Sequence, residues 1–143
     1  MQVKEIMNTD VKTINLNSNV REAAELMSKS NIGGLIVVED SKLVGIVTER
    51  DVMKKVVALN KSATKTKVKA VMTKKVIMID PDKDVEEAAE IMLERKIKKL
   101  PIVYKNKLIG ILTATDICAA QPKLIEQLAQ LMLVPGKKKI IAG

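Results

Sequence analysis

The sequence predicts a mixed α/β (α+β) fold made of two β-α-β-β-α units packed with pseudo-two-fold symmetry. Three observations carry that expectation. Residues 3–53 align with residues 68–118 at a constant offset of 65, without a gap, and 20 of the 51 aligned pairs are identical. An internal repeat fixes the structural unit before any local reading, and two copies are too few for a solenoid. Within each copy the apolar pattern alternates between strand-like runs and a helical face. Both copies then close on one pattern, Gly45-Ile46-Val47-Thr48-Glu49-Arg50-Asp51 against Gly110-Ile111-Leu112-Thr113-Ala114-Thr115-Asp116. A pair of this kind has a cleft between its halves, and function is expected there.

The elements follow in order. Each copy opens with a short apolar segment, Val3-Lys4-Glu5-Ile6-Met7 or Val68-Lys69-Ala70-Val71-Met72, expected as a helical turn. Val11-Lys12-Thr13-Ile14 reads as a short strand. Asn19 caps a helix with Glu22 three positions on, a capping box, and Val20, Ala23, Ala24 and Met27 share one face. Asn31, Gly33 and Gly34 end it. Leu35–Val38 and Leu43–Val47 are strands around the turn Glu39-Asp40-Ser41, a hairpin, and Thr48 opens the closing helix. In the second copy Asp84 and Glu87 bracket the helix start, residues 97–101 form the bend, and Lys105-Asn106-Lys107 is the hairpin turn. These readings place the first repeat at 1–58, a polar linker at 59–67, the second repeat at 68–121 and a tail at 122–143. In the tail, Leu124, Ile125, Leu128, Leu131 and Met132 make an amphipathic face, Pro135-Gly136 breaks it and Lys137–Lys139 make a basic end.

Composition narrows the chemistry. Apolar residues are 47 % of the chain, with no Trp, no Phe and one Tyr, so the core is aliphatic, with Met filling irregular gaps. There is no His and one Cys. That removes His general acid–base chemistry, His-ligated metals and Cys-His nucleophiles. Cys118 has no partner for an intrachain disulfide and is expected as a small core residue. Thr and Asp without a base, metal or activated nucleophile make no catalytic site, so neither an enzyme nor a metal centre is expected. No apolar run reaches membrane-spanning length and no signal segment opens the chain, which makes the cytoplasm the expected compartment. The net charge of +8 comes from 22 Lys and three Arg. Such an excess suits nucleic acid, an anionic ligand or a solvated surface.

The tandem repeat, the Glu22-Ala23-Ala24 and Glu87-Ala88-Ala89 helices, the closing Gly-apolar-x-Thr-x-x-Asp, and Ile97-Lys98-Lys99-Leu100-Pro101-Ile102-Val103 together resemble a cystathionine β-synthase (CBS) domain pair, over residues 1–120. The resemblance implies a regulatory module that binds an adenosine-containing ligand (AMP, ADP, ATP or S-adenosylmethionine) in the cleft between repeats. It also implies association of two pairs into a disc-shaped homodimer and control of a partner protein, here unidentified.

The same resemblance assigns Asp51 and Asp116 to the ribose hydroxyls, whose spacing suits two carboxylate oxygens. Thr-x-x-Asp is also a helix-capping pattern; recurrence after a Gly-containing strand in both repeats favours ligand binding, and both roles can coexist. Thr48 and Thr113 stand at helix starts, where a hydroxyl either meets phosphate or caps the helix. Lys98 and Lys99 align with Gly33 and Gly34, the sharpest asymmetry between repeats. Two lysines there favour an anionic ligand as point charges, and a solvated pair at a helix end explains them equally. If they meet phosphate, the two sites are inequivalent. Arg50 faces the same choice between phosphate and a surface ion pair, with Thr115 at its place in the second repeat. An adenine slot is expected from Thr13, Ile14 and Ile36 in one repeat, and from Met78, Leu100, Pro101 and Ile102 in the other. Pro101 offers no N–H. Without an aromatic to stack on, affinity is expected near micromolar, roughly −8 kcal/mol. The alternative is a basic nucleic-acid-binding protein using the pair as a scaffold; against it stand the absence of aromatic platforms and of zinc-ligand spacing.

Overall fold

The computed structural model describes residues 1–132. Pro135-Gly136 and the basic end Lys137–Lys139 lie outside the described residues. The chain divides into two compact units.

The first-repeat unit comprises Val11–Val76 with Asn106–Leu108. It contains β1 (Thr13–Asn15), α1 (Val20–Ser30), β2 (Gly34–Glu39), β3 (Lys42–Thr48), α2 (Glu49–Val52) running into a π-helical turn (Met53–Val57), and α3 (Val68–Val71). Its sheet has the order β1-β2-β3. β1 lies parallel to β2, with Thr13 beside Ile36, and β2 is antiparallel to β3. Parallel strands need a crossover, and α1 supplies it. The expected capping box at its start forms: Asn19 Oδ1 accepts from Glu22 N–H at 2.9 Å, and Glu22 Oε1 accepts from Asn19 N–H at 3.3 Å. Asn31 ends the helix in the left-handed region, φ 55°, a C-terminal conformation that Asn adopts more readily than most residues. The polar linker is tied down. Thr66 and Ala63 carbonyls accept from the N–H groups of Val20 and Arg21, two of the donors that a helix start leaves without intrahelical partners.

The second-repeat unit comprises Met1–Asp10, Ile77–Lys105 and, among the described residues, 109–132. It contains a 3₁₀ turn (Val3–Glu5), α4 (Val85–Arg95), β4 (Lys99–Tyr104), β5 (Lys107–Thr113), α5 (Ala114–Ala120), a second 3₁₀ turn (Pro122–Leu124) and α6 (Ile125–Met132). β4 and β5 form a two-stranded sheet. The third strand expected around Met78-Ile79 is reduced to one bridge, Ile79 with Ile102. Proline explains the loss. Leu16 N–H extends the β1–β2 ladder to Val38 O at 3.2 Å, whereas the equivalent Pro81 has no N–H to give, and Pro101 stands where Ile36 does. Both hairpins turn on two residues with positive φ, Asp40-Ser41 and Lys105-Asn106, the geometry that matches the twist of paired strands.

The opening segments do not stay with the repeats they begin. Val3 is buried with Ile79, Val85, Met92 and Leu112 in the second-repeat core, and Val68 and Val71 are buried with Val20, Leu35 and Val47 in the first. Each segment reaches the Gly-containing strand of its unit: Ile46 bridges Thr73, and Ile111 bridges Asn8. This close approach explains the glycine of the closing signature. A Cβ on Gly45 would stand 2.8 Å from Met72 Sδ and 2.9 Å from Thr73 O; on Gly110 it would stand 2.6 Å from Met7 Sδ. Of the tail's amphipathic face, Leu124, Leu128 and Leu131 pack on the second-repeat core, while Ile125 and Met132 are exposed. Cys118 is only partly buried at the edge of that core, not fully enclosed.

Two outcomes follow from this packing. Gly45→Ala should destabilise the fold by about 1–3 kcal/mol, the usual cost of overpacking, read as a lower denaturant midpoint. At the start of α4, Asp84 Oδ1 accepts from Glu86 N–H at 2.8 Å, and that bond holds its carboxyl below the ordinary 3.8. The folded-state pKa is depressed, so the stabilisation is present above the unfolded value and lost as pH falls through the folded one. Asp84→Ala should therefore lower the melting temperature at neutral pH, and the gap from the unmodified chain should close under strongly acidic conditions.

Candidate functional site

The strand-to-helix junction of each repeat carries the predicted residues Thr48 and Asp51, or Thr113 and Asp116. Both junctions form reciprocal capping boxes. Asp51 N–H donates to Thr48 Oγ1 at 3.1 Å and Asp51 Oδ2 accepts from Thr48 N–H at 3.0 Å; the corresponding distances at Thr113 and Asp116 are 3.0 and 3.1 Å. The first turn of each helix also holds the bend that precedes the hairpin, before β2 or β4. Glu49 N–H donates to Gly33 O at 3.0 Å, and Ala114 N–H to Lys98 O at 2.8 Å. This contact brings Lys98 to the same place as Thr113, Thr115 and Asp116.

The two carboxylates then diverge. Asp51 has a side chain 10 % exposed, and its Oδ1 pairs with Lys55 Nζ at 3.0 Å. Thr73 Oγ1 donates to the same oxygen at 3.5 Å, and Thr48 Oγ1 donates to Oδ2 at 3.1 Å. Lys55 is itself fixed by a bond to Val71 O at 2.8 Å. Asp116 is half-buried, and among the described residues its carboxylate accepts only from Thr113 N–H. Lys55 and Thr73 were not anticipated as site residues. The repeat offset pairs them with Ala120 and Asn8, and that mismatch was the available signal.

The surroundings differ too. In the first repeat the Glu49 carboxylate crowds Gly33, 2.6 Å from where a Cβ would stand, and Arg50 is exposed. In the second, Ala114 replaces that acid, and Lys98, Lys99 and Thr115 are exposed. Of the expected adenine slots, Ile14, Ile36, Leu100, Pro101 and Ile102 are buried. Their side chains are taken up by packing, and much of their backbone is engaged in strand pairing. Thr13 is half-buried, and Met78 is 43 % exposed next to the Ile79 N–H that donates to Pro101 O at 3.0 Å. An open groove of about 520 Å³ in the first-repeat unit lies between α1 and α2, lined by Gly33 and Glu49 of the junction together with Met27, Ile32, Val52, Met53 and Val57 among others. Among the described residues no cluster of three or more His, Cys, Asp or Glu is placed to hold a metal, and no helix is long and apolar enough to cross a membrane.

Comparison with known proteins agrees with this architecture. The CBS domain model matches residues 3–58 and 68–123. The CBS domain-containing protein YhcV of Bacillus subtilis is 35 % identical over 119 residues, covering 83 % of this chain and 84 % of the relative. Inosine-5′-monophosphate dehydrogenase of Methanocaldococcus jannaschii is 44 % identical over 115 residues, but those cover 79 % of this chain and only 22 % of the enzyme, so the likeness does not extend to the bulk of that enzyme. Among solved structures, a CBS domain protein of Thermoplasma acidophilum superposes with a TM-score of 0.78 at 28 % identity, covering 97 % of this chain and 78 % of that one. The CBS domain pair of protein MJ0100, in complex with 5′-methylthioadenosine and S-adenosyl-L-methionine, superposes with a TM-score of 0.72 at 32 % identity, over 86 % and 97 % of the two chains. Two family matches that together span most of the sequence, on a fold shared with CBS pairs, establish that this chain belongs to the CBS domain family and carries two copies of the domain.

Proposed function

We propose that the chain is a non-enzymatic regulatory module that binds an adenosine-containing ligand (AMP, ADP, ATP or S-adenosylmethionine) and passes its occupancy to a partner protein. The observation that carries the reading is the half-buried Asp116 carboxylate, which among the described residues accepts one hydrogen bond and so has capacity for the two ribose hydroxyls, on a helix whose first N–H is bound by Lys98 O. A carboxylate offers about four lone-pair sites on two oxygens, and the capping bond takes one. The ligands of the related MJ0100 pair are both adenosine derivatives, which supports the same class here. Lys98 and Lys99, exposed at the bend, suit an anionic group on the ligand as point charges, and the exposed Met78 offers apolar contact to a base. A cytoplasmic setting fits the lone cysteine.

Self-association belongs to the same proposal. Met53 and Val57 are 56 % and 68 % exposed on the lip of the groove between α1 and α2, and a second copy of this chain would cover them. Met53→Lys combined with Val57→Lys should then shift the sedimentation coefficient from dimer to monomer; an unchanged value removes that face from the dimer contact.

Calorimetric titration with AMP, ADP, ATP and S-adenosylmethionine tests the ligand reading. Saturable binding by at least one, at about micromolar Kd and weakened at least tenfold in Asp116→Ala, is the expected result. Binding by none in a folded, ligand-free preparation would sink it. Tight, steeply salt-dependent binding to nucleic acid in the same preparation would favour the basic-surface alternative.

A further inference from the structure

The two signature aspartates are matched in sequence and capping geometry, yet their free acceptor capacity is opposite. A carboxylate can accept about four hydrogen bonds. Asp51 receives four donors: Thr48 N–H and Thr48 Oγ1 on Oδ2, and Lys55 Nζ and Thr73 Oγ1 on Oδ1. Asp116 receives one among the described residues. Two substitutions make the difference. Ala120 occupies the position equivalent to Lys55, and Asn8 the position equivalent to Thr73; the Asn8 side chain is turned to its own loop, accepting from Asp10 N–H at 2.8 Å.

Lys55 is not a loose surface cation. Its ammonium spans Asp51 Oδ1 at 3.0 Å and Val71 O at 2.8 Å, joining the closing helix to the segment that ends α3. Its stem leaves the π-helical turn, where Ala58 N–H reaches back five residues to Met53 O at 2.8 Å. A ribose diol would have to displace this ammonium, on a side chain 44 % exposed, from a carboxylate 10 % exposed, giving up the ion pair and, with it, the bond that fixes the lysine to Val71 O. A second observation points the same way. Glu49 places its carboxylate against Gly33, where the second repeat has Lys98, so at the bend an anionic ligand meets an acid, offset only by the neighbouring exposed Arg50, in the first repeat and a lysine with no acid at the equivalent of Glu49 in the second.

We propose that Lys55 closes the first repeat's carboxylate to ligand. The chain then takes one adenosine-containing ligand, through Asp116, while Asp51 serves as a lock between α2 and the segment after α3. This rests on the adenosine reading above, which supplies the ligand class; the lock itself stands on the geometry of Asp51. Lys55 is thus the residue that sets stoichiometry.

Equilibrium dialysis of the full chain with radiolabelled AMP, ATP and S-adenosylmethionine, beside thermal melts of every variant, tests it. The unmodified chain should bind one equivalent of its preferred probe. Asp116→Asn should bind at least tenfold more weakly. Lys55→Ala, which copies Ala120, should bind two equivalents, and Lys55→Ala combined with Asp116→Asn should regain one. Lys55→Met keeps the stem and replaces Lys55→Ala if the latter melts early. Two equivalents on the unmodified chain, or no gain in any folded Lys55 variant of a chain that binds one, overturns the proposal. If no probe binds the unmodified chain, the adenosine reading falls, and a double-mutant cycle in unfolding still decides the lock. Coupling between Asp51→Asn and Lys55→Met upholds it; additive effects of the two overturn it.

Discussion

Each repeat is organised around the reciprocal bond between a threonine and the aspartate three residues on. That bond ends a strand and starts a helix within one residue, satisfying two backbone donors that the helix start would otherwise leave open. The first turn it creates presents the next N–H to the bend that precedes the hairpin, at Gly33 in one repeat and Lys98 in the other. Bend, strand end and helix start therefore have fixed relative positions, and the chemistry offered at the junction depends on the few side chains that vary there.

A second constraint acts from the opposite side of the strand. The short opening segment of one repeat packs into the core of the other unit and runs against its central glycine, close enough to exclude a Cβ at Gly45 or Gly110. Val3, Val68 and Val71 are buried as a result. The glycine of the signature is thus a packing requirement, separate from any ligand, and its recurrence in both repeats has a structural cause. Capping and packing together explain most of the conserved form of the internal repeat without reference to binding.

The proposed binding enters where the repeats part company. Matched junctions hold each carboxylate at the equivalent position of its own repeat, and unmatched neighbours give the two different partners. Lys55 and Thr73 fill the acceptor sites of Asp51; at the equivalent positions Ala120 and Asn8 give Asp116 no donor, and among the described residues its carboxylate accepts only from Thr113 N–H. Glu49 and Lys98 set local charges of opposite sign. On the reading proposed above, one structural device then serves as a strut in the first repeat and as a ligand contact in the second.

The repeat, the order of its elements, both hairpin turns and the Asn19–Glu22 box were legible in the sequence, because they depend on local periodicity, turn chemistry and capping, all written within a few residues. The strand at Met78-Ile79 was overestimated for a reason also present in the sequence, the prolines at 81 and 101 that remove ladder donors. The sequence by itself determined the family, the two Thr-x-x-Asp junctions and the asymmetry of Gly33-Gly34 against Lys98-Lys99. Only the tertiary structure decided which core each opening segment enters, that Ile125 and Met132 face solvent, and that the Asp51 carboxylate is filled. Those outcomes depend on contacts between residues far apart in the chain. Thr73 and Val71 reach Asp51 and Lys55 only because the opening segment of the second repeat folds into the first-repeat core, and no local pattern encodes that approach.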